Sequence, residues 1–149
     1  MWGEDGELGR VYAGCRALYT LVMRGQELVH FTKVLVAGEE LLLKVACSAM
    51  SEVGKGNYLT QQALHALLPY ARIHLPDVKR LRLQVGMDNE AAMHVYQQLG
   101  FEELPRDELL EEPEEGHECW GVAVAELQRR LSAAAPPNSR FACAVYAGF

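Results

Sequence analysis

Positive charge is scarce in this chain: 14 Lys and Arg stand against 20 Asp and Glu, a formal net charge of −6. That balance offers no general basic field to condense on a phosphate backbone, which argues against nucleic acid as the main ligand and favours a cationic substrate or partner. Cysteine is sparse and scattered. Cys15, Cys47, Cys119 and Cys143 form no CxxC and no Cys/His spacing, so neither a zinc site nor a disulfide framework is supported, and they read as small apolar residues in a reducing compartment. His30, His65, His74, His94 and His117 share no metal-ligand spacing either. No stretch approaches the ~18 to 20 uninterrupted apolar residues of a membrane span. The opening MWGEDGELGR carries acids where a targeting peptide would carry a basic region followed by an apolar run. These absences predict a soluble intracellular protein, cytoplasmic with the nucleus left open, and no metal, membrane or nucleic-acid partner.

What is present is a folding composition. Half of the 149 residues are hydrophobic and 23% are charged, enough for the core of one domain spanning 1–149 and too little chain for two. RALYTLVM (Arg16 to Met23) and LVHFTKVLV (Leu28 to Val36) are β-branched and aromatic runs joined by RGQE, whose Gly25 suits a hairpin turn. After Gly38-Glu39-Glu40 comes LLLKVAC (Leu41 to Cys47), apolar enough for a central strand and third in a meander.

From Gly54 the texture becomes helical. Leu59, Ala63, Leu64, Leu67, Leu68 and Ala71 form one amphipathic stripe, and Pro69 inside it predicts a kink or an early end. Val78 to Val85 alternates, with Leu81, Leu83 and Val85 on one face and Arg80, Arg82 and Gln84 on the other, the pattern of a half-buried strand. Asp88 and Asn89 are N-cap types, and Gly100 closes the short helix that follows. Glu102 to Glu118 holds nine acids against Arg106 alone, broken by Pro105, Pro113 and Gly116, and reads as a solvated loop or a docking surface for something basic. Cys119 to Ala125 predicts a strand, Glu126 to Ala133 a short helix, and Arg140 to Tyr146 a last strand.

The turn SEVGKGNY leads from a strand into a helix, the arrangement in which unpartnered first-turn amides cradle an anion. It is too short for a P-loop and lacks the third glycine of a dinucleotide fingerprint, so a phosphate site and a plain glycine turn both stay open.

The segment QVGMDNEAAMHVYQQLGF (Gln84 to Phe101) resembles the signature N-x-x-A-x-x-x-Y-x-x-x-G-F of the GNAT superfamily of acyl-CoA-dependent N-acetyltransferases, with Asn89, Ala92, Tyr96, Gly100 and Phe101 at every place. Ser51-Glu52-Val53-Gly54-Lys55-Gly56 is similar to that family's pyrophosphate loop Q/R-x-x-G-x-G/A, with serine where Gln or Arg is usual. The resemblance is strongest from Leu41 to Phe101. It implies an α+β fold: a mixed central sheet of an antiparallel hairpin plus two splayed central strands, here Leu41 to Cys47 and Val78 to Val85, with flanking helices.

The resemblance also implies acetyl-CoA as cofactor and transfer of its acetyl group to a primary amine, such as a basic peptide or polyamine, by direct attack in a ternary complex. It assigns cofactor contacts to Val45, Ala46 and Cys47, to Val53, Gly54, Lys55, Gly56 and Asn57, and to Asn89, Ala92 and Tyr96. A main-chain amide near Val45 or Ala46 would polarise the acetyl carbonyl. Tyr96 would give the departing thiolate its proton. The base would be Glu40, fourteen positions before Gly54, with Glu39 beside it and a water chain as alternatives; shifting the glycine register would move the count to Leu42.

One departure matters: the family brings a first strand and two helices ahead of the hairpin as a wall of the acceptor groove, and about fifteen residues stand there in this sequence. The acceptor wall would then be missing, supplied by a second subunit such as a homodimer partner, or rebuilt by the longer tail. Two alternatives to an enzyme follow: a non-catalytic acyl-CoA-binding module, and a structural partner subunit pairing through its apolar final strand.

Overall fold

Residues 15–52 and 58–148 are described in a computed structural model of the protein, so Val53, Gly54, Lys55, Gly56 and Asn57 lie outside the described residues. The first two apolar runs form β1 (Arg16–Arg24) and β2 (Glu27–Ala37), antiparallel about a tight turn in which Gly25 adopts φ 63°, a conformation that penalises any side chain. β3 (Glu40–Ser48) continues the meander beyond Gly38. Its register against β2 shifts between Lys33/Val45 and Val34/Leu43, leaving Lys44 as the extra residue of a bulge.

α1 (Leu59–His74) buries all six residues of the predicted stripe, together with Gln61 and Gln62. Pro69 does not end or interrupt it: the helix runs on to His74. The proline removes one N–H bond to the preceding turn, but stopping there would unseat Leu68 and Ala71 from the core, and that burial is worth more than one bond. Pro69 is exposed. Pro69→Ala should therefore restore the missing bond with no loss of packing and raise stability by about 1 kcal/mol, read as a higher urea midpoint; a lower midpoint would show that the ring itself contributes.

β4 (Arg80–Gly86) lies parallel to β3, and α2 (Glu90–Gln98) follows it. Then come β5 (Glu102–Glu103), β6 (His117–Ala123), α3 (Val124–Ala134) and β7 (Ala142–Gly148). The seven strands form one sheet in the order β5-β6-β4-β3-β2-β1-β7. The final apolar run pairs antiparallel with β1 inside its own sheet, so one edge of it is already used.

The main core lies on one face, where Leu41, Leu43, Leu81, Leu83, Val85, Trp120 and Val122 meet Leu64, Leu67 and Leu68 of α1 and Leu127 and Leu131 of α3. A second cluster, Val22, Val29, Leu59, Ala63 and Phe141, ties the start of α1 to the hairpin and to the approach to β7.

Candidate active site

The central feature is a parting of strands. β3 and β4 pair through only four rungs, from Glu40↔Arg80 to Leu43↔Leu83. Beyond Leu43, β3 stays with β2 through Lys33↔Val45 to His30↔Ser48, while β4 stays with β6 through Gln84↔Cys119 to Gly86↔His117. The bulge at Lys44 sits at the first open position and supplies the local twist that turns β3 away. In consequence Val45, Ala46 and Cys47 are exposed in the middle of a seven-stranded sheet. Ala49 donates its N–H to the Val29 carbonyl at 2.9 Å; by ladder alternation Val45 and Cys47 bond towards β2, and the N–H and C=O of Ala46 and Ser48 face the gap.

The helix after β4 starts with a side-chain cap: the Asn89 carboxamide oxygen accepts from the Ala92 N–H at 3.1 Å. The spacing of Asn89 and Ala92 is thus what a helix start requires. Tyr96, nearly two turns on, packs against the main core, and Phe101 folds back so that the two rings meet edge-on with centroids 5.3 Å apart. Gly100, at φ 93°, makes that reversal. Burial raises the Tyr96 phenol above its ordinary range, so its hydroxyl keeps its proton. α1 begins with Tyr58 in the left-handed conformation and with no side-chain cap for its first-turn amides.

No family model matches the sequence, and no curated protein matches it. Solved structures do match. An acetyltransferase from Streptococcus agalactiae 2603 superposes with a TM-score of 0.61 at 16% identity, over 72% of this chain and 66% of that one. An acetyltransferase of the GNAT family from Staphylococcus aureus Mu50 gives 0.59 at 14% identity, over 72% and 68%. The spermidine N-acetyltransferase of Vibrio cholerae in complex with CoA and spermine gives 0.56 at 13% identity, over 81% and 73%. The chain has the GNAT fold.

Within the GNAT fold, Val45, Ala46 and Cys47 line the opened edge of β3, and Tyr96 stands on the helix following β4. Glu40 is elsewhere. It opens β3 at the closed end of the β3–β4 pair, six residues and about 20 Å of strand from Ala46. Its carboxylate accepts from Arg82 Nε at 2.5 Å, with Arg80 Nε 3.8 Å away. Its carboxylate is thus engaged by guanidinium groups at the closed end and does not face the gap. Glu39, at the same turn, is exposed and lies 3.5 Å from Lys79. A hollow of about 750 Å³ at this closed end is lined by Glu40, Arg80 and Arg82 among others, and by none of the residues of the gap.

The acidic segment is exposed over most of its length, as a solvated loop would be, but it is also tied down to the sheet. Leu104 is buried over Gly121, where an added Cβ would stand 2.9 Å from a Leu104 methyl. Arg82 donates to the Glu108 carbonyl, and Arg80 lies 3.2 Å from the Glu108 carboxylate. Glu111 accepts from Lys44 Nζ at 3.0 Å and from Gln84 Nε2 at 2.9 Å, while the Glu114 N–H donates to Gln84 Oε1 at 3.0 Å. One carboxylate therefore joins β3 to β4 across their first unpaired position. The strap lies on the sheet face opposite the main core, and the polar face of β4 is covered by it: Arg82 is only 9% exposed.

Another pair escaped the sequence reading. His30 is 2% exposed, with Nδ1 2.7 Å from Ser48 Oγ, and Ser48 closes β3 beside the gap. Burial lowers the His30 pKa to about 4, so the ring is neutral near pH 7. A search for metal spacing passes over a lone histidine; the signal was its strand parity, since His30, Thr32 and Val34 share the inward face of β2. Among the described residues no group of three potential metal ligands comes together, and all four cysteines are free.

Proposed function

We propose that this protein is an acetyl-CoA-dependent N-acetyltransferase acting on a primary amine by direct attack. The observation that carries the reading is the parting of β3 from β4, with the main chain of Ala46 facing the gap. An exposed strand edge there fits an extended arm bearing amide groups, which would bond it as an added strand. Bound acetyl-CoA would supply an activated thioester. The Ala46 N–H would polarise the carbonyl, and the Tyr96 hydroxyl, kept protonated by burial, would hold the proton that the departing sulfur takes up. Cys47 and Val45 would wall the arm, and the Lys55 cation and the glycine turn ahead of the uncapped α1 would hold the pyrophosphate. No role as base is proposed for Glu40; at neutral pH the amine would lose its proton to water in the open gap.

The net charge of −6 supports a cationic acceptor, a polyamine or a basic peptide, and the V. cholerae enzyme bound to spermine shares this fold. A second reading, a CoA-binding module without turnover, is favoured by the pairing of Glu40 with Arg82, which leaves the gap without that carboxylate.

Isothermal calorimetry with acetyl-CoA should show binding in the micromolar range, and thiol release with a panel of polyamines and lysine peptides should then show turnover. Absence of heat would overturn both readings; heat without thiol release on any amine would select the second.

A further inference from the structure

Among the described residues, three buried polar atoms on one patch of the hairpin have no hydrogen-bond partner: Thr20 Oγ1, Thr32 Oγ1 and His30 Nε2. The residues that carry them are 1%, 1% and 2% exposed. They are also neighbours. Thr20 stands directly opposite Thr32 in the β1–β2 register, and His30 opposite Val22, so His30 follows Thr32 by two residues on the same face and lies diagonal to Thr20. A buried polar group without a partner is uncommon and destabilising, and three converging from two strands describe a site, since an internal water is held by two to four such groups.

We infer that Thr20, Thr32 and His30 enclose a buried water molecule, and that this water fixes which nitrogen of His30 carries the proton. Ser48 Oγ lies 2.7 Å from His30 Nδ1, a length that suits a bond in either direction. In the proposed arrangement Ser48 donates to Nδ1, because the ring hydrogen on Nε2 is then available to the water. The neutral ring then carries its hydrogen on Nε2, and that N–H points into the patch where the two threonine hydroxyls lie. A water accepting from Nε2 and bonded to Thr20 and Thr32 satisfies all three atoms at once, and no group among the described residues does so. With its own proton committed to Nδ1, Ser48 Oγ keeps its lone pairs as acceptors at the end of β3, next to the gap. His30 is thus a positioning residue for Ser48.

Two measurements on the protein alone, with no cofactor added, test this and stand apart from the acetyltransferase reading. Thr20→Val and Thr32→Val keep side-chain shape and remove only the hydroxyl. If each hydroxyl binds the water, each variant lowers the melting midpoint by about 2 to 4 °C. An unchanged or higher midpoint, which is what deletion of an unsatisfied hydroxyl produces, would overturn the site. Long-range nitrogen–proton NMR of the His30 ring should show a neutral Nε2–H form between pH 6 and 8. A proton on Nδ1 would overturn the assignment even if both valine variants are destabilised.

Discussion

Arg82→Ala is expected to destabilise the protein by about 2 to 3 kcal/mol and to loosen the acidic strap, the largest effect anticipated for a charged position. The arginine side chain is 11% exposed and Glu40, its partner at 2.5 Å, is 17% exposed. Removing the cation leaves a largely buried carboxylate facing only Arg80 at 3.8 Å, and it leaves the Glu108 carbonyl without its donor. Breaking a fully buried pair costs about 3 to 5 kcal/mol; the residual solvent at both side chains places this one at or just below that range. The check is a urea midpoint together with the rate of proteolytic cleavage within residues 104–116. Arg82→Lys should fall between parent and alanine, because an ammonium keeps the charge but cannot bond the carboxylate and the carbonyl with one rigid fork. Replacing Glu40 and Arg82 together by Leu and Met should recover much of the loss, since no charge is then left unpaired. If Arg82→Ala unfolds at the parent's midpoint, the network is not structural and Glu40 becomes a candidate for chemistry again.

Tyr96→Phe is expected to lower kcat about 100-fold, the lower end of what a positioned proton donor contributes, with KM and melting midpoint close to the parent's. The phenylalanine ring would keep the edge-on contact with Phe101 and the packing against the main core, so what is lost is the hydroxyl alone. Tyr96→Ala separates the two roles: it should lower the midpoint as well, by opening a cavity beside Phe101. A thiol-release assay under saturating acetyl-CoA reads the first effect. If Tyr96→Phe turns over at the parent's rate on a good acceptor, the hydroxyl carries no proton in the rate-limiting step.

What could be read in the sequence follows from how local the determining physics is. The hairpin about Gly25, the stripe of α1 and the cap of α2 each depend on residues within a few positions of one another, and all three stand where the pattern placed them. Pro69 was weighed by its effect on an isolated helix, whereas its neighbours Leu68 and Ala71 are fixed by the sheet beneath. The acidic segment was judged by its own charges. Its partners Lys44, Arg80 and Arg82 lie on strands 26 to 67 residues away in sequence, and a count along the chain cannot see them. Glu40 failed to reach the gap for a related reason: a fixed distance before a glycine does not record which end of β3 opens. The gap itself, between Leu41 to Cys47 and Val78 to Val85, came from a resemblance of motif, and the register of β3 against β4 now gives it a boundary after Leu43 and Leu83.

The pairing of β1 with β7 also governs how the chain must assemble. Ala17 and Gly148 are partners although about 130 residues separate them, so the search for that contact closes a very long loop and belongs to the slow end of folding. On the ribosome, β1 is synthesised well before β7 and waits with one edge bare, an opportunity for a chaperone or for mispairing with a neighbouring nascent chain.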